Sequence, residues 1–232
     1  MKVPISNRLL LCAAMVPPGS RVADIGADHG YLGVYLLQKG ISPFVTAADL
    51  REQPLAKERE NAVRFGVADR MAFLLSDGLQ QIPPDAAQTI VMAGMGGDLI
   101  VRILECCDWL QDGGHTLILQ PQSAGQALRQ YLAEHGFAIR QEALAQDGHF
   151  FYTVLRAECG STMPLTPGQQ YASPQLLAAG GPLLGPYLAR IETALRGTVA
   201  GLRQADEPEK LRYYETALSE IEEMRQHYGN GS

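Results

Sequence analysis

From Ser20 to about Ala157, short runs rich in apolar and β-branched residues alternate with longer segments whose apolar positions recur every three or four residues. The short runs are Arg21 to Ile25, Phe44 to Ala48, Met71 to Leu75, Thr89 to Ala93, Thr116 to Leu119, Phe137 to Ala143 and Phe150 to Leu155. This alternation predicts a mostly parallel sheet with helices on both faces. Tyr31 to Lys39 and Glu52 to Phe65 read as helices that stop at Gly40 and Gly66, residues suited to a left-handed cap. Ser123 stands where it can cap a helix over Ala124 to His135, which stops at Gly136. No helical segment separates the last two runs, so an antiparallel hairpin is expected around Gln146-Asp147-Gly148.

Past Ala157 the pattern changes. Gly160 to Pro186 is rich in Gly, Pro and Ser, which suits a connection with at most short helices. Leu188, Ile191, Leu195, Thr198 and Leu202 then recur at helical spacing, as do Leu211, Tyr214, Leu218 and Ile221 after a break at Ala205 to Pro208. Two amphipathic helices with a short break predict an antiparallel hairpin with coiled-coil-like packing. The expected architecture is therefore α/β: a doubly wound, Rossmann-like domain over 1–157, and a linker with a helical hairpin over 158–232. A solubilising cap and an RNA-docking element both fit that hairpin, whose six basic and nine acidic side chains from Glu158 onward favour neither.

The chain has 232 residues, 46% of them hydrophobic, enough for a buried core and against disorder. It has no apolar run of membrane-spanning length, and Met1 to Leu10 lacks a secretory pattern, so a cytoplasmic protein without a membrane partner is expected. Cys12, Cys106, Cys107 and Cys159 have neither zinc-site spacing nor the density of a disulfide scaffold, and His115, His135, His149 and His227 are scattered. Free, mostly buried thiols and no metal are expected. With 19 basic and 25 acidic residues the chain as a whole does not attract a polyanion, so any nucleic acid must be held by a local basic strip. A monomer is the simplest expectation.

Candidate chemistry begins at Val22-Ala23-Asp24-Ile25-Gly26-Ala27-Asp28-His29-Gly30-Tyr31, an apolar strand running into a glycine turn and a helix. Gly26 permits a tight turn and close ligand approach, and the helix start offers free amides. Asp28 stands where a dinucleotide fingerprint has its middle glycine, so a phosphate would be repelled. The D-x-G-x-D-x-G pattern suits instead a cationic ligand with an amino acid tail, such as S-adenosylmethionine. Asp49 ends the second strand about 20 residues on, where an acid commonly receives ribose hydroxyls, and Asp77, before Gly78, ends the third, where it can accept from an adenine amino group. Ala93-Gly94-Met95-Gly96-Gly97 closes the fourth strand with room for a flat ring, Met95 having core packing as its plainer role. Leu119-Gln120-Pro121-Gln122 ends the fifth with amides able to meet a base.

These segments resemble the bacterial tRNA (adenine-22, N1)-methyltransferase family. The match runs in order and spacing through Ile5-Ser6-Asn7-Arg8-Leu9, Asp24 to Leu32, Ser76-Asp77-Gly78-Leu79, Ala93 to Gly97, Leu119-Gln120-Pro121 and Leu184-Gly185-Pro186-Tyr187-Leu188, nearly the whole chain. The resemblance implies a class I methyltransferase domain followed by a coiled-coil domain, using S-adenosylmethionine to methylate N1 of an adenine in the D-arm region of tRNA. It departs at Gly33, often proline in the family, at Gln122, often asparagine, and at Asp49-Leu50, often a glutamate-led pair. Gly148-His149-Phe150-Phe151-Tyr152 replaces a shorter Gly-Lys-containing turn.

Adenine N1 carries a lone pair, so transfer needs alignment of the reactants more than a strong base. The target must leave its stack, and Tyr31, His29, Gln120 and Gln122 are candidates to receive it. Asp28 or His29 can take the proton released from the amino group. Cofactor-binding candidates are Asp24, Gly26, Asp28, His29, Asp49, Leu50, Asp77, Gly78, Ala93, Gly94 and Met95; Arg8, Tyr31, Gly96, Gly97 and Arg129 are candidates on the tRNA side. Arg51, Lys57, Arg59 and Arg102 join Arg8 and Arg129 as candidate phosphate contacts. Two rival functions fit the same residues: a methyltransferase acting on a small molecule or protein, and a non-catalytic nucleoside-binding module.

Overall fold

The computed structural model describes residues 2–27 and 29–228. Seven strands form one sheet in the order β3-β2-β1-β4-β5-β7-β6. They are β1 (Val22–Ile25), β2 (Val45–Asp49), β3 (Met71–Leu75), β4 (Thr89–Gly96), β5 (Thr116–Ser123), β6 (Phe137–Asp147) and β7 (Phe150–Cys159). The first five run parallel, whereas β7 is antiparallel to both β5 and β6. The expected doubly wound sheet with a mixed edge is thus present.

Alternate strand residues feed two cores. On one face Ile90, Met92, Leu117, Leu119 and Leu155 meet α4 (Gly97–Glu105) and α5 (Gly125–Glu134). On the other, Val22, Val45, Val91, Ile118 and Val154 meet α1 (Asn7–Met15), α2 (Tyr31–Gln38) and α3 (Glu52–Arg64). Adjacent strand residues such as Ile90 and Val91 therefore point oppositely and both are buried, as a covered sheet requires. A third core joins α6 (Pro174–Ala179), α7 (Leu184–Leu202) and α8 (Pro208–Tyr228) to Leu144 and Phe151 of the β6–β7 hairpin.

Several expectations need correction. Ser123 ends β5 and caps nothing: α5 starts at Gly125 behind Ala124, which lies in the left-handed region (φ 51°, ψ 35°) without a side-chain cap. β4 and β5 continue past Ala93 and Leu119, so much of the supposed loop is strand. Thr198 faces solvent and back-bonds to Ala194 O, while Val199 takes the buried position. The hairpin turn is Gly148-His149, between paired Asp147 and Phe150. All four cysteines are free, as expected, but only Cys12 and Cys107 are buried, Cys159 being partly exposed and Cys106 exposed.

Candidate active site at the carboxyl edge of the sheet

β1 delivers Asp24 to the edge with only 2% of its surface exposed. Burial pushes its carboxyl up to about 7, against the pull of a hydrogen bond from the Gly33 amide. Gly26 follows at φ +68°, its amide donating to Ala48 O at 2.7 Å. That left-handed backbone favours glycine, and a Cβ there would also have to displace the terminal methyl of Met95. Asp28 lies outside the described residues. His29 is exposed, its ring 5.6 Å from Tyr31, which meets Phe65 edge-on.

Two supports of this loop escaped the sequence reading. Asn61 Nδ2 donates to His29 O at 2.9 Å, and the Glu58 Cγ would lie 3.2 Å from a Cβ on Gly30. Both residues are buried on α3 beside Leu55 and Ala62. A carboxylate and a carboxamide on the apolar stripe of a helix were the signal available, because such groups are buried only with partners.

The next two strand ends carry the other acids. Asp49 Oδ1 accepts the Arg51 amide at 2.9 Å, which shapes the turn into α3. Asp77 is exposed and lines, with Leu79, Leu99 and Arg102, a cavity of about 180 Å³. Leu50 and Leu75, 64% and 55% exposed, flank Asp49, the first along the chain and the second as its partner on β3. A second cavity of about 200 Å³ is lined by Ser6, Arg8, Asp24, Gly26, His29 and Ala93. Ser6 Oγ, buried there, has no hydrogen-bond partner among the described residues.

Facing them, the β4 end is bulged against β5 between Ala93 and Gly96. Gln120 is fully buried, its Oε1 accepting from Arg8 Nη1 and its Nε2 donating to Pro121 O, each at 2.9 Å. Its amide therefore holds Arg8 and is not turned to a ligand. Gln122 is exposed, and a Cβ on Gly94 would lie 3.3 Å from Arg8 Nη1 and 3.5 Å from Gln122 Nε2. Arg8, Gly94 and Gln122 thus converge. Ser123 Oγ borders Gly96, and the Ala124 carbonyl presses on Gly97, where a Cβ would collide with it. The strained Ala124 backbone and the bare Gly97 together bring the two loops into contact.

Arg129 lines a cavity of about 160 Å³ with Pro121, Gln122 and Ser123, but its guanidinium is committed to the core. It is 1% exposed on α5, its Nε donates to both Glu142 oxygens at 3.1 and 3.2 Å, and its Nη1 donates to Gln170 O at 3.0 Å. Ser173 Oγ donates to the same carboxylate at 2.5 Å. The partner needed to bury a guanidinium lies on another element, which placement near a helix start does not reveal. Among the other expected phosphate contacts, Arg59 pairs with Glu52 and Lys57 with Glu60, while Arg51 and Lys57 border a cavity reached by His29. Among the described residues no cluster of His, Cys, Asp or Glu is arranged to hold a metal, and no helix is long and apolar enough to cross a membrane.

Comparison with known proteins places this geometry. Residues 5–155 match a methyltransferase domain family. The tRNA (adenine(22)-N(1))-methyltransferase of Bacillus subtilis is 30% identical over 194 residues, 84% of this chain and 79% of the relative. The crystal structure of the B. subtilis M1A22 tRNA methyltransferase superposes with a TM-score of 0.86 at 26% identity, covering 97% of this chain and 100% of that one. A Streptococcus pneumoniae tRNA (m1A22) methyltransferase candidate, crystallised with S-adenosyl-L-methionine, gives 0.82 at 28% identity, with 95% and 99% covered.

Proposed function

The chain belongs to the methyltransferase domain family and, within it, to the tRNA (adenine(22)-N(1))-methyltransferases, and from that membership we propose that it methylates N1 of adenine 22 in tRNA. Its methyl donor is S-adenosylmethionine, which supplies an activated methyl group on a sulfonium.

The observation that carries the reading is the opposition of two half-sites at one sheet edge. Asp24, Asp49 and Asp77 come from the ends of β1, β2 and β3, and Arg8, Gly94 and Gln122 face them from the β4–β5 side. The residues fit the donor. Asp24, Gly26, His29 and Ala93 line the place for its amino acid tail, where Ser6 Oγ, without a hydrogen-bond partner among the described residues, offers a further polar contact. By its place in the motif Asp28 is assigned to the same tail, and Gly94 and Met95 to the neighbouring wall. Asp49 serves the ribose, and Leu50 with Leu75 covers a face of the adenine, whose amino group meets the Asp77-Gly78 turn.

On the target side the protein aligns rather than activates, because the N1 lone pair needs no prior deprotonation. Arg8, braced by Gln120, is placed to hold the phosphate of the flipped nucleotide. Gly94 leaves room for the purine, with Tyr31 and Gln122 at its borders, whereas the space beside Gly96 and Gly97 is taken by Ser123 and the Ala124 carbonyl. Asp28 or His29 receives the proton that the product ring releases. We further assign 1–157 as the catalytic unit and 158–232 as linker and helical, coiled-coil-like hairpin, working as a monomer that binds tRNA in the cytoplasm.

Nucleoside mass spectrometry after incubation with unmodified tRNA tests the reading. 1-Methyladenosine should form, and changing adenine 22 to guanine should abolish it. Methylation of another adenine in that variant refutes the site, and no labelled nucleoside at all refutes the reaction.

A further inference from the structure

The turn that departs from the family pattern, Gly148 to Tyr152, holds a feature that the methyl-transfer site leaves unused. Phe150 is 58% exposed at the hairpin tip, an unusual position for a large apolar ring. Its ring lies 6.5 Å from that of Tyr152, tilted by 40°. The Arg190 guanidinium, from α7, sits 5.9 Å over the Phe150 ring, and its Nη1 donates to His149 O at 3.0 Å. Arg190 is exposed and enters none of the ion pairs of the described residues, whereas Arg196, Arg203 and Arg225 of the same helical region pair with glutamates.

Position adds to chemistry. Because β7 runs antiparallel to β5, its start lies beyond the carboxyl end of β5. Asp147, two residues before the turn ends, accepts the Asn7 and Arg8 amides, and Arg8 touches Gln120. The hairpin that carries the exposed ring, Asp147 pairing with Phe150 across it, is therefore tied to the target side of the site. An aromatic face for a base, with a guanidinium that no carboxylate among the described residues neutralises for its phosphate, is the combination by which proteins grip unpaired nucleotides.

Resting on the proposed tRNA reaction, we infer that Phe150, supported by Tyr152 and Arg190, is a stacking platform for an unpaired base of the substrate tRNA close to the methylated adenine. The test uses the full chain with Phe150→Ala, Phe150→Leu, Phe150→Tyr, Phe150→Trp and Arg190→Ala. Phe150→Ala and Phe150→Leu should raise the tRNA KM about tenfold, the scale of one lost base stack. Phe150→Tyr should restore it, Arg190→Ala should raise it and weaken its salt dependence, and cofactor affinity should stay constant throughout. Tryptophan fluorescence of Phe150→Trp should be quenched by tRNA beyond any change in the wild type, whose single tryptophan is Trp109. A wild-type KM in Phe150→Ala, or an unquenched Phe150→Trp, overturns the platform. So does concentration-dependent dimerisation lost in Phe150→Ala, which would give the face to a second copy. Absence of methyl transfer by the wild type is the separate failure that sinks the reaction, and the quenching arm still reports on the platform.

Discussion

The Asp147 carboxylate accepts the Arg8 amide at 3.1 Å, and its other oxygen accepts the Asn7 amide at 3.0 Å. Helix α1 is thus capped from the β6–β7 hairpin, while its own N-cap residue, Ser6, makes no side-chain cap. Asp147→Ala should lower stability by about 1–2 kcal/mol, the loss of a good cap, as read by urea denaturation. Methyl transfer should fall further than stability explains, since Arg8 loses its anchor. Asp147→Asn, which keeps one acceptor, should lie between. Full activity in Asp147→Ala would remove the hairpin from the positioning of Arg8.

Asp49→Ala should weaken S-adenosylmethionine binding by about 1–3 kcal/mol, because the ribose hydroxyls lose their acceptor. Titration calorimetry measures it. The variant also loses the turn bond to the Arg51 amide, so Asp49→Asn, which can keep that bond, separates the two effects: weak binding in both variants assigns the carboxylate to the ribose.

Asp24 links the site to pH. Its carboxyl is raised from 3.8 to about 7 by burial, so the native chain retains a proton that the unfolded chain gives up. Its contribution to stability is therefore complete below about pH 4 and is lost as pH rises through about 7. Wild type should lose stability relative to Asp24→Asn over that interval. Affinity for the cationic donor should move the opposite way, rising over the same range as the carboxylate forms. A pH-independent affinity in the wild type would exclude contact between Asp24 and the ligand's charge.

Arg129→Met should cost about 3–5 kcal/mol of stability, since Glu142 would be left buried without its cation. Replacing both Arg129 and Glu142 with apolar residues should recover part of that loss. The tRNA KM per folded molecule should be unchanged in Arg129→Met, and an increase would return Arg129 to the RNA surface.

The glycine turn after β1 was legible because its requirements are local. Asp24, Gly26 and the following helix start are neighbours in the chain, and Asp49 and Asp77 end strands whose patterning marks them. The buried supports left only a faint signal, since Glu58 and Asn61 share the stripe of Leu55 and Ala62 on an otherwise polar helix, while what they support, at His29 and Gly30, lies on another segment. The Leu9 to Met15 run, apolar almost throughout, lacks the polar contrast that would have marked α1 as a helix.

By itself the sequence determined the seven strands, most of the helices between them, the mixed sheet edge, the helical hairpin and the motif of the cofactor loop, because each depends on residues within one or two helical turns or on motif spacing. Only the tertiary structure decided which side chains serve the site and which serve the core. Gln120 and Arg129 look alike along the chain, both polar and both near the carboxyl edge. The fold commits the first to holding Arg8 and buries the second against Glu142 and Gln170 O. Those partners come from other elements, and a buried polar group takes its role from whatever partner the topology brings within hydrogen-bond reach, which chain-local patterning does not encode.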